Sequence, residues 1–474
     1  MLKDAYNLFH EGSIALAQVE ANGIHIDLNF LTSARDKLRE RIKSLYERLR
    51  EDKIIEIWRR TYGNRMNLGS REQLGRILFE KLQYPSIEVT ASGRPKSDEN
   101  SLKRIKLPFV KRYLLWEKLK RVNGTFLAGI ERETIDSYLH PFFHLAGGGY
   151  SDKGGARSYR SSSSDPNFHN LPVRNKELSG YIRPCFIPRS GRMLVEMDYS
   201  GIEVRMAASI TKDPVLLDYI NDPTKDMHLD MAAECYYIKK SQVTEDMRYC
   251  GKNSFVFPEF YGAYYLDCAR ALWRAIDEYK MEVEGNPLKE HLKRKGITKL
   301  GKCDRKQKPI EGTFEYHIQQ VERGFWGRRF KVYAQWKDDW YEKYQERGGF
   351  KMPTGFRVNG LYGRNEVINY VFQGIATHCL LWSLIEIQKH IEKYKLASCI
   401  VGQIHDSILS DVTVKEIQKY LSICKQIMTI EIRKAWPWII TPLDIKISCS
   451  KIDGNWHEKF PWIEKDGKWI PKEI

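Results

Sequence analysis

The feature that most constrains this chain is a strand that ends on a carboxylate. Residues 194–205 read Leu-Val-Glu-Met-Asp-Tyr-Ser-Gly-Ile-Glu-Val-Arg and follow the turn Ser190-Gly191. Met193, Leu194, Val195 and Met197 form an apolar run that predicts a strand. Asp198 falls where that strand stops, and Ile202, Val204, Met206, Ala207 and Ala208 predict the start of a buried helix. A carboxylate at such a junction sits on a rigid element with its oxygens free, which suits a hard cation such as Mg²⁺. Taken alone, the stretch reads first as a helix N-cap aspartate. A second acidic segment changes that reading. In residues 399–412 the apolar arms Ile400–Ile404 and Ile408–Val412 flank His405-Asp406-Ser407 and predict a hairpin with Asp406 at its tip. His140 and His144 have metal-ligand spacing, but Pro141 lies between them and no zinc-protease glutamate accompanies them, so they read as structural.

Three segments then stand in a telling order. They are Asp198-Tyr-Ser-x-Ile-Glu-x-Arg205, then Arg248-x3-Lys252 leading to Phe257 and Tyr261-Gly262, then Gln403-Ile404-His405-Asp406. They resemble motifs A, B and C of the family A DNA polymerases, the group related to bacterial DNA polymerase I and several bacteriophage replicases. The resemblance runs from Glu20–Ile24 to Asp453–Trp456. It implies an α+β right-hand polymerase fold, with an antiparallel-sheet palm and mainly helical thumb and fingers. The implied division is a lead-in packed near the palm over 1–30, thumb over 31–135 and palm over 136–211. Fingers follow over 212–370, and the second part of the palm over 371–474. A chain of 474 residues suits about three domains.

The function this resemblance implies is template-directed addition of dNTPs to a primer 3′ hydroxyl, in DNA replication or repair. Asp198 and Asp406, with the Tyr199 carbonyl, are expected to hold two Mg²⁺ ions, for which Mn²⁺ can substitute. Arg248 and Lys252 are four apart and share a helix face, where two cations need an anion to face; a triphosphate is one, and plain solvent is the bland alternative. The resemblance adds His228 to the nucleotide phosphates and gives Lys252 a share in catalysis. It sets Phe257 against the incoming base or sugar and Tyr261 under the template base. Glu203 is expected to fill the space of a ribose 2′ hydroxyl and so to favour DNA over RNA. Arg160, with Arg157 as competitor, and Asn369, Gln373 and His405 are expected to touch primer–template DNA.

Several departures from the family pattern matter. Eight residues separate Lys252 from Tyr261, one more than usual, so Phe255, Phe257 and Phe260 compete for the stacking role. Pro258 is expected to disturb the helix there. Gly201 replaces the usual Gln, Ser407 the usual Glu and Asn365 the usual Arg, which implies retuned rather than absent activity.

Lys plus Arg exceed Asp plus Glu by 77 − 61 = +16, as a partner of phosphodiester backbones requires. No run of about 18 apolar residues predicts a membrane span, and no membrane partner is expected. Nine cysteines, odd in number and irregular in spacing, predict reduced thiols in the cytoplasm. Residues 31–60 predict one long charged helix. Ser70 is expected to cap a helix running to about Lys81, and the loop 90–98 to end in a cap before Leu102. Residues 112–127 read as a basic helix on the DNA side, residues 157–164 as a serine-rich loop, residues 285–312 as a solvated or DNA-facing insertion, and Trp436–Trp456 as alternating strands. The chain starts where the family's proofreading domain would end, so no 3′–5′ proofreading is expected of it. A separate exonuclease, helicase or processivity factor is left open, and a monomer is expected. The competing readings are a catalytically silent DNA-binding accessory protein of the same fold and a single-subunit RNA polymerase.

Overall fold

The computed structural model describes residues 2–86, 89–90, 93–145, 158–172, 175–301 and 307–472. Its organising element is a six-stranded antiparallel sheet in the order Cys399–Ile404, Ser407–Thr413, Arg192–Tyr199, Ile445–Cys449, Phe460–Lys465, Lys468–Pro471. The central strand carries the apolar run foreseen in the sequence: Met193, Leu194, Val195, Met197 and Tyr199 are all buried. Tyr199 ties this strand to the helices behind it. Its hydroxyl lies 2.8 Å from Ser383 Oγ and donates to the Met428 carbonyl at 2.9 Å.

Ser383 belongs to the longest helix, Arg364–Lys393, which packs against Leu2–Asn22, Ile202–Thr211 and Lys331–Arg347. By length and composition this helix could cross a membrane, which the scan for apolar runs did not foresee; 78% of its apolar window is buried inside the protein. Polar residues such as Thr377, His378 and Ser383 break up the run in sequence, yet they too are buried. It is the core helix of the molecule.

The N-terminal region corrects one expectation. Residues 31–60 are not one helix. Leu28–Arg50 ends, and Lys53–Tyr62 restarts after Asp52, whose carboxylate accepts from Ile54 N. The side-chain cap offers the backbone an alternative to continuing the helix. Ser70 and Asp98 do cap helices, accepting from Gln73 N and Ser101 N. The basic segment is helical, as Pro108–Arg121 followed by a wider turn over Val122–Leu127.

The serine stretch is not a loop where described. Ser162–Ser164 pairs with Phe142–His144, and Ser163 is buried. Arg157 lies outside the described residues. His140 and His144 are structural, bonded to the Glu20 carbonyl and Ser164 Oγ. The 285–312 insertion holds a short helix, Leu288–Arg294, anchored by buried Leu288, Leu292 and Ile297, rather than being loop throughout. Between Trp436 and Trp456 only Ile445–Cys449 is a strand; the sheet's outer hairpin follows beyond it.

Candidate active site

Two neighbouring strands bring together carboxylates that are far apart in the chain. Arg192–Tyr199 lies between Ser407–Thr413 and Ile445–Cys449, in a register that sets both Ser407 and Lys446 opposite Asp198. The turn His405-Asp406 closes the neighbouring hairpin with His405 at φ +51°, a left-handed conformation. Tyr199 N donates to the Asp406 carbonyl at 3.3 Å. Burial, and then the charge and hydrogen bond of Asp406, raise the Asp198 carboxyl well above the ordinary range, while Lys446 opposes the shift. A cation near Asp198 would offset the burial and like charge that raise it.

The donor set fits such a cation. Tyr199 turns its side chain into the core, leaving only its backbone at the site. Two carboxylates and a carbonyl are all oxygen donors. Among the described residues no group of three or more His, Cys, Asp or Glu could enclose a metal. That combination suits Mg²⁺, which keeps several waters and completes its shell with substrate phosphates. Ser407 adds no third acid; its buried hydroxyl donates to the Ile404 carbonyl at 3.0 Å and closes the turn. Glu196, two residues before Asp198, is held by Lys459 and by Trp456 Nε1 at 2.6 Å.

The basic helix faces this pair electrostatically. Thr244 caps the segment Glu245–Gly251, which continues as a π turn over Lys252–Val256 and then Phe257–Phe260. A π turn holds one residue more than an α turn. The extra residue that left the stacking position open is absorbed there, and Phe257 N bonds the Lys252 carbonyl. Lys252 Nζ therefore lies 5.2 Å from the Phe257 ring centre. Pro258, expected to disturb the helix, sits at the start of the next segment, where a proline is tolerated. Phe255 and Phe260 are buried against Phe325. Phe257 alone of the three stays half-exposed, its ring 5.8 Å from His228 and 6.2 Å from Tyr261.

Arg248 already faces an anion, Asp226, at 2.6 Å. The other oxygen of Asp226 caps the helix Met227–Tyr236 and so places His228. Burial and the nearby Lys252 push the His228 imidazole down to about 4, which keeps it neutral. Burial, then Lys446 and Arg248, lower the Lys252 ammonium, and Asp198 opposes them.

Glu203 joins the two halves. It accepts from the Tyr261 hydroxyl and lies 3.4 Å from Arg160. Asn369 Nδ2 donates to the Tyr261 carbonyl at 3.0 Å, while its buried Oδ1 has no partner among the described residues. Asn365, standing where an arginine is usual, donates to the Gly262 carbonyl at 2.8 Å. Gly262, at φ +83°, allows that approach; a Cβ would lie 2.3 Å from Asn365 Oδ1. Gln373 follows Asn369 by one helical turn and is half-buried.

Three participants escaped the sequence reading. Lys446 was marked only by strand alternation with Ile445 and Ile447. Ser161 and His169 lie in or beside the serine-rich segment but were given no role, yet both hold Gln403, at 2.7 Å and 2.8 Å, and Gln403 in turn donates to the His405 carbonyl at 2.9 Å.

The description DNA polymerase family A fits residues 32–280, more than half of the chain. The chain belongs to DNA polymerase family A. DNA polymerase I of Pseudomonas aeruginosa is 26% identical over 407 residues, which cover 84% of this chain and 39% of that protein. DNA polymerase I of Bacillus subtilis is 31% identical over 254 residues, 52% of this chain and 27% of that one. The family A chain thus spans less than half the length of these relatives. Among solved structures, the POL domain of Pol1 from M. smegmatis, in complex with DNA primer-template and dNTP, superposes with a TM-score of 0.72. That match has 21% identity and covers 95% of this chain and 70% of the other. The fold is accordingly the α+β polymerase fold, with the six-stranded sheet as its palm.

Proposed function

We propose that this chain carries out template-directed DNA synthesis, adding dNTPs to a primer 3′ hydroxyl. The observation that carries the proposal is the strand pairing that sets Asp198 beside the Asp406 turn, with Lys252 lying 5.2 Å from the Phe257 ring on the basic helix. The partners named for the M. smegmatis structure, primer-template DNA and dNTP, fit these residues. Two Mg²⁺ ions, or Mn²⁺ in their place, would neutralise charge on the attacking and leaving oxygens when held by Asp198, Asp406 and the Tyr199 carbonyl. The protein's own residues bind and orient. Lys252 and the neutral His228 receive the triphosphate, and Arg248 joins them by exchanging Asp226 for phosphate. Phe257 stacks on the incoming base or sugar, and Tyr261 supports the template base. Glu203, fixed by Tyr261 and Arg160, fills the place of a 2′ hydroxyl. Arg160, Asn369, Gln373 and His405 border the primer–template. Asn369 Oδ1, buried and unpartnered among the described residues, is an acceptor available to a minor-groove donor.

The same reading divides the chain into thumb (31–135), palm (136–211 and 371–474) and fingers (212–370), with the helix Arg364–Lys393 crossing the last border. It also places the protein in the cytoplasm, consistent with eight free thiols among the described cysteines. The test is extension of a labelled primer with Mg²⁺, supplying dNTPs or rNTPs, beside Asp406→Ala. Extension with dNTPs alone, lost in the variant, is expected. Duplex binding without extension would overturn catalysis, and efficient rNTP use would overturn the role of Glu203. Removal of a mismatched 3′ nucleotide in the absence of dNTPs would overturn the expectation that these residues do not proofread.

A further inference from the structure

Behind Phe257 and Tyr261 lies a second cluster of ionisable groups that the proposed reaction does not use. Glu259 sits between the two aromatic residues in sequence but points the other way and is 1% exposed. Its Oε2 accepts from Trp326 Nε1 at 2.8 Å, and its Oε1 from Cys268 Sγ at 3.4 Å. Glu322 lies beside it and accepts from Tyr265 N at 2.8 Å. On the far side of the indole, Lys337 Nζ lies 3.1 Å from the Trp326 ring centre, and Lys337 is 8% exposed. The indole is thus held at both ends, by a cation on its face and a carboxyl at its N–H.

Charge accounts for the arrangement. Two carboxyls and one amine packed together, Glu259 and Lys337 buried and Glu322 half-buried, are neutral as a set when they hold two protons among the three. Any other proton count leaves a buried net charge, which is costly. The surrounding groups do not alter that count. Arg364 and Asp338 pair with each other beside Lys337, Arg323 is exposed next to Glu322, and Cys235 and Cys268 are buried thiols. Burial and the neighbouring carboxyl raise Glu259, and burial lowers Lys337.

We propose that Glu259, Trp326 and Lys337 form a buried strut that braces the Phe257–Tyr261 turn against the helix Lys331–Arg347, and so positions the nucleotide-facing aromatics. This rests on the polymerase reading, because only a nucleotide gives those aromatics something to face. The same helix also presents Tyr333, 5.5 Å from Phe260, so the brace is continuous with the aromatic packing beneath Tyr261. Glu259 and Lys337 are positioning residues. They touch no substrate, and they act through the angle of the turn.

The test is steady-state primer extension by wild type, Phe257→Ala, Glu259→Leu and Glu259→Gln at pH 7. Glu259→Leu leaves the Trp326 N–H and Lys337 without their partner and is expected to raise the dNTP KM about tenfold while kcat changes less than about threefold. Its DNA affinity should match wild type. Glu259→Gln keeps an acceptor and cannot ionise. It should keep a dNTP KM within about twofold of wild type, because the Trp326 N–H retains its acceptor. A folded Glu259→Leu with wild-type KM, or a Glu259→Gln as impaired as Glu259→Leu, would overturn the strut. An unchanged KM in Phe257→Ala would instead overturn the nucleotide contact on which it depends, and no extension by wild type would remove both.

Discussion

The molecule contains two carboxyl pairs, and they differ in what sits opposite them. Asp198 and Asp406 lie at the end of the palm sheet, where Lys446 and Lys252 act on Asp198 through space. Glu259 is buried in the helical region with Glu322 half-buried beside it, and Lys337 is stacked on the indole that Glu259 binds. Asp198 and Glu259 each hold a proton more tightly than an isolated acid does, for the same two reasons: burial and a like charge next door. Yet Lys446 and Lys252 reach Asp198 only through space, whereas Lys337 is packed on the indole that Glu259 binds. A carboxyl pair is therefore not a metal site by virtue of being a pair. What decides is whether the protein has supplied the cation itself.

The largest expected effect tests that difference directly. Asp198→Ala or Asp406→Ala should lower primer extension by at least about a thousandfold while leaving duplex affinity intact. Next comes the response to metal. Asp198 holds its proton more tightly folded than unfolded, so in metal-free protein its contribution to stability is present at low pH. That contribution is lost as pH rises from the ordinary carboxylate range through the raised value. Mg²⁺ must displace this proton, so its affinity should climb by up to about tenfold per pH unit across that window, and Asp198→Asn should flatten the climb. Isothermal titration at several pH values reads this. If the metal response survives in Asp198→Asn, the comparison fails.

Lys337→Ala should destabilise the fold by about 3 kcal/mol in urea, because it strands the acids it accompanies. That loss should be the same with and without Mg²⁺, whereas a Mg²⁺-dependent loss would mean that this pair also recruits metal. The smallest effect concerns Gly201, three residues after Asp198. Its φ of +60° is left-handed, with open space where a side chain would go. Gly201→Gln, which restores the usual family residue, should cost about 1 kcal/mol from backbone strain alone.

Much of the palm was legible because its signals are local. An apolar run ending on Asp198, and two apolar arms around Asp406, became a central strand and a hairpin in the expected places. Caps at Ser70 and Asp98 were legible for the same reason: a side-chain oxygen three residues from the N–H it takes. The long helix over 31–60 was misread because its apolar spacing continues through Glu51-Asp52, while Asp52 caps a new helix there. The serine stretch was misread because its partner strand, Phe142–His144, is remote in sequence. The extra residue before Phe257 was visible as a count, but whether it would turn the ring away depended on a π turn, which spacing alone does not announce.

The sequence by itself determined which residue types are present and in what order: two acids on β-prone segments, two cations one helical turn apart, and a family pattern across most of the chain. Tertiary structure decided which groups face each other. It set Lys446 opposite Asp198 through strand register, tied Arg248 to Asp226, turned Phe255 and Phe260 inward, and closed Glu259, Trp326 and Lys337 into one buried set. The physical reason is that charge and packing act through distances in space, and burial sets how strongly they act. Neither is a property of spacing along the chain.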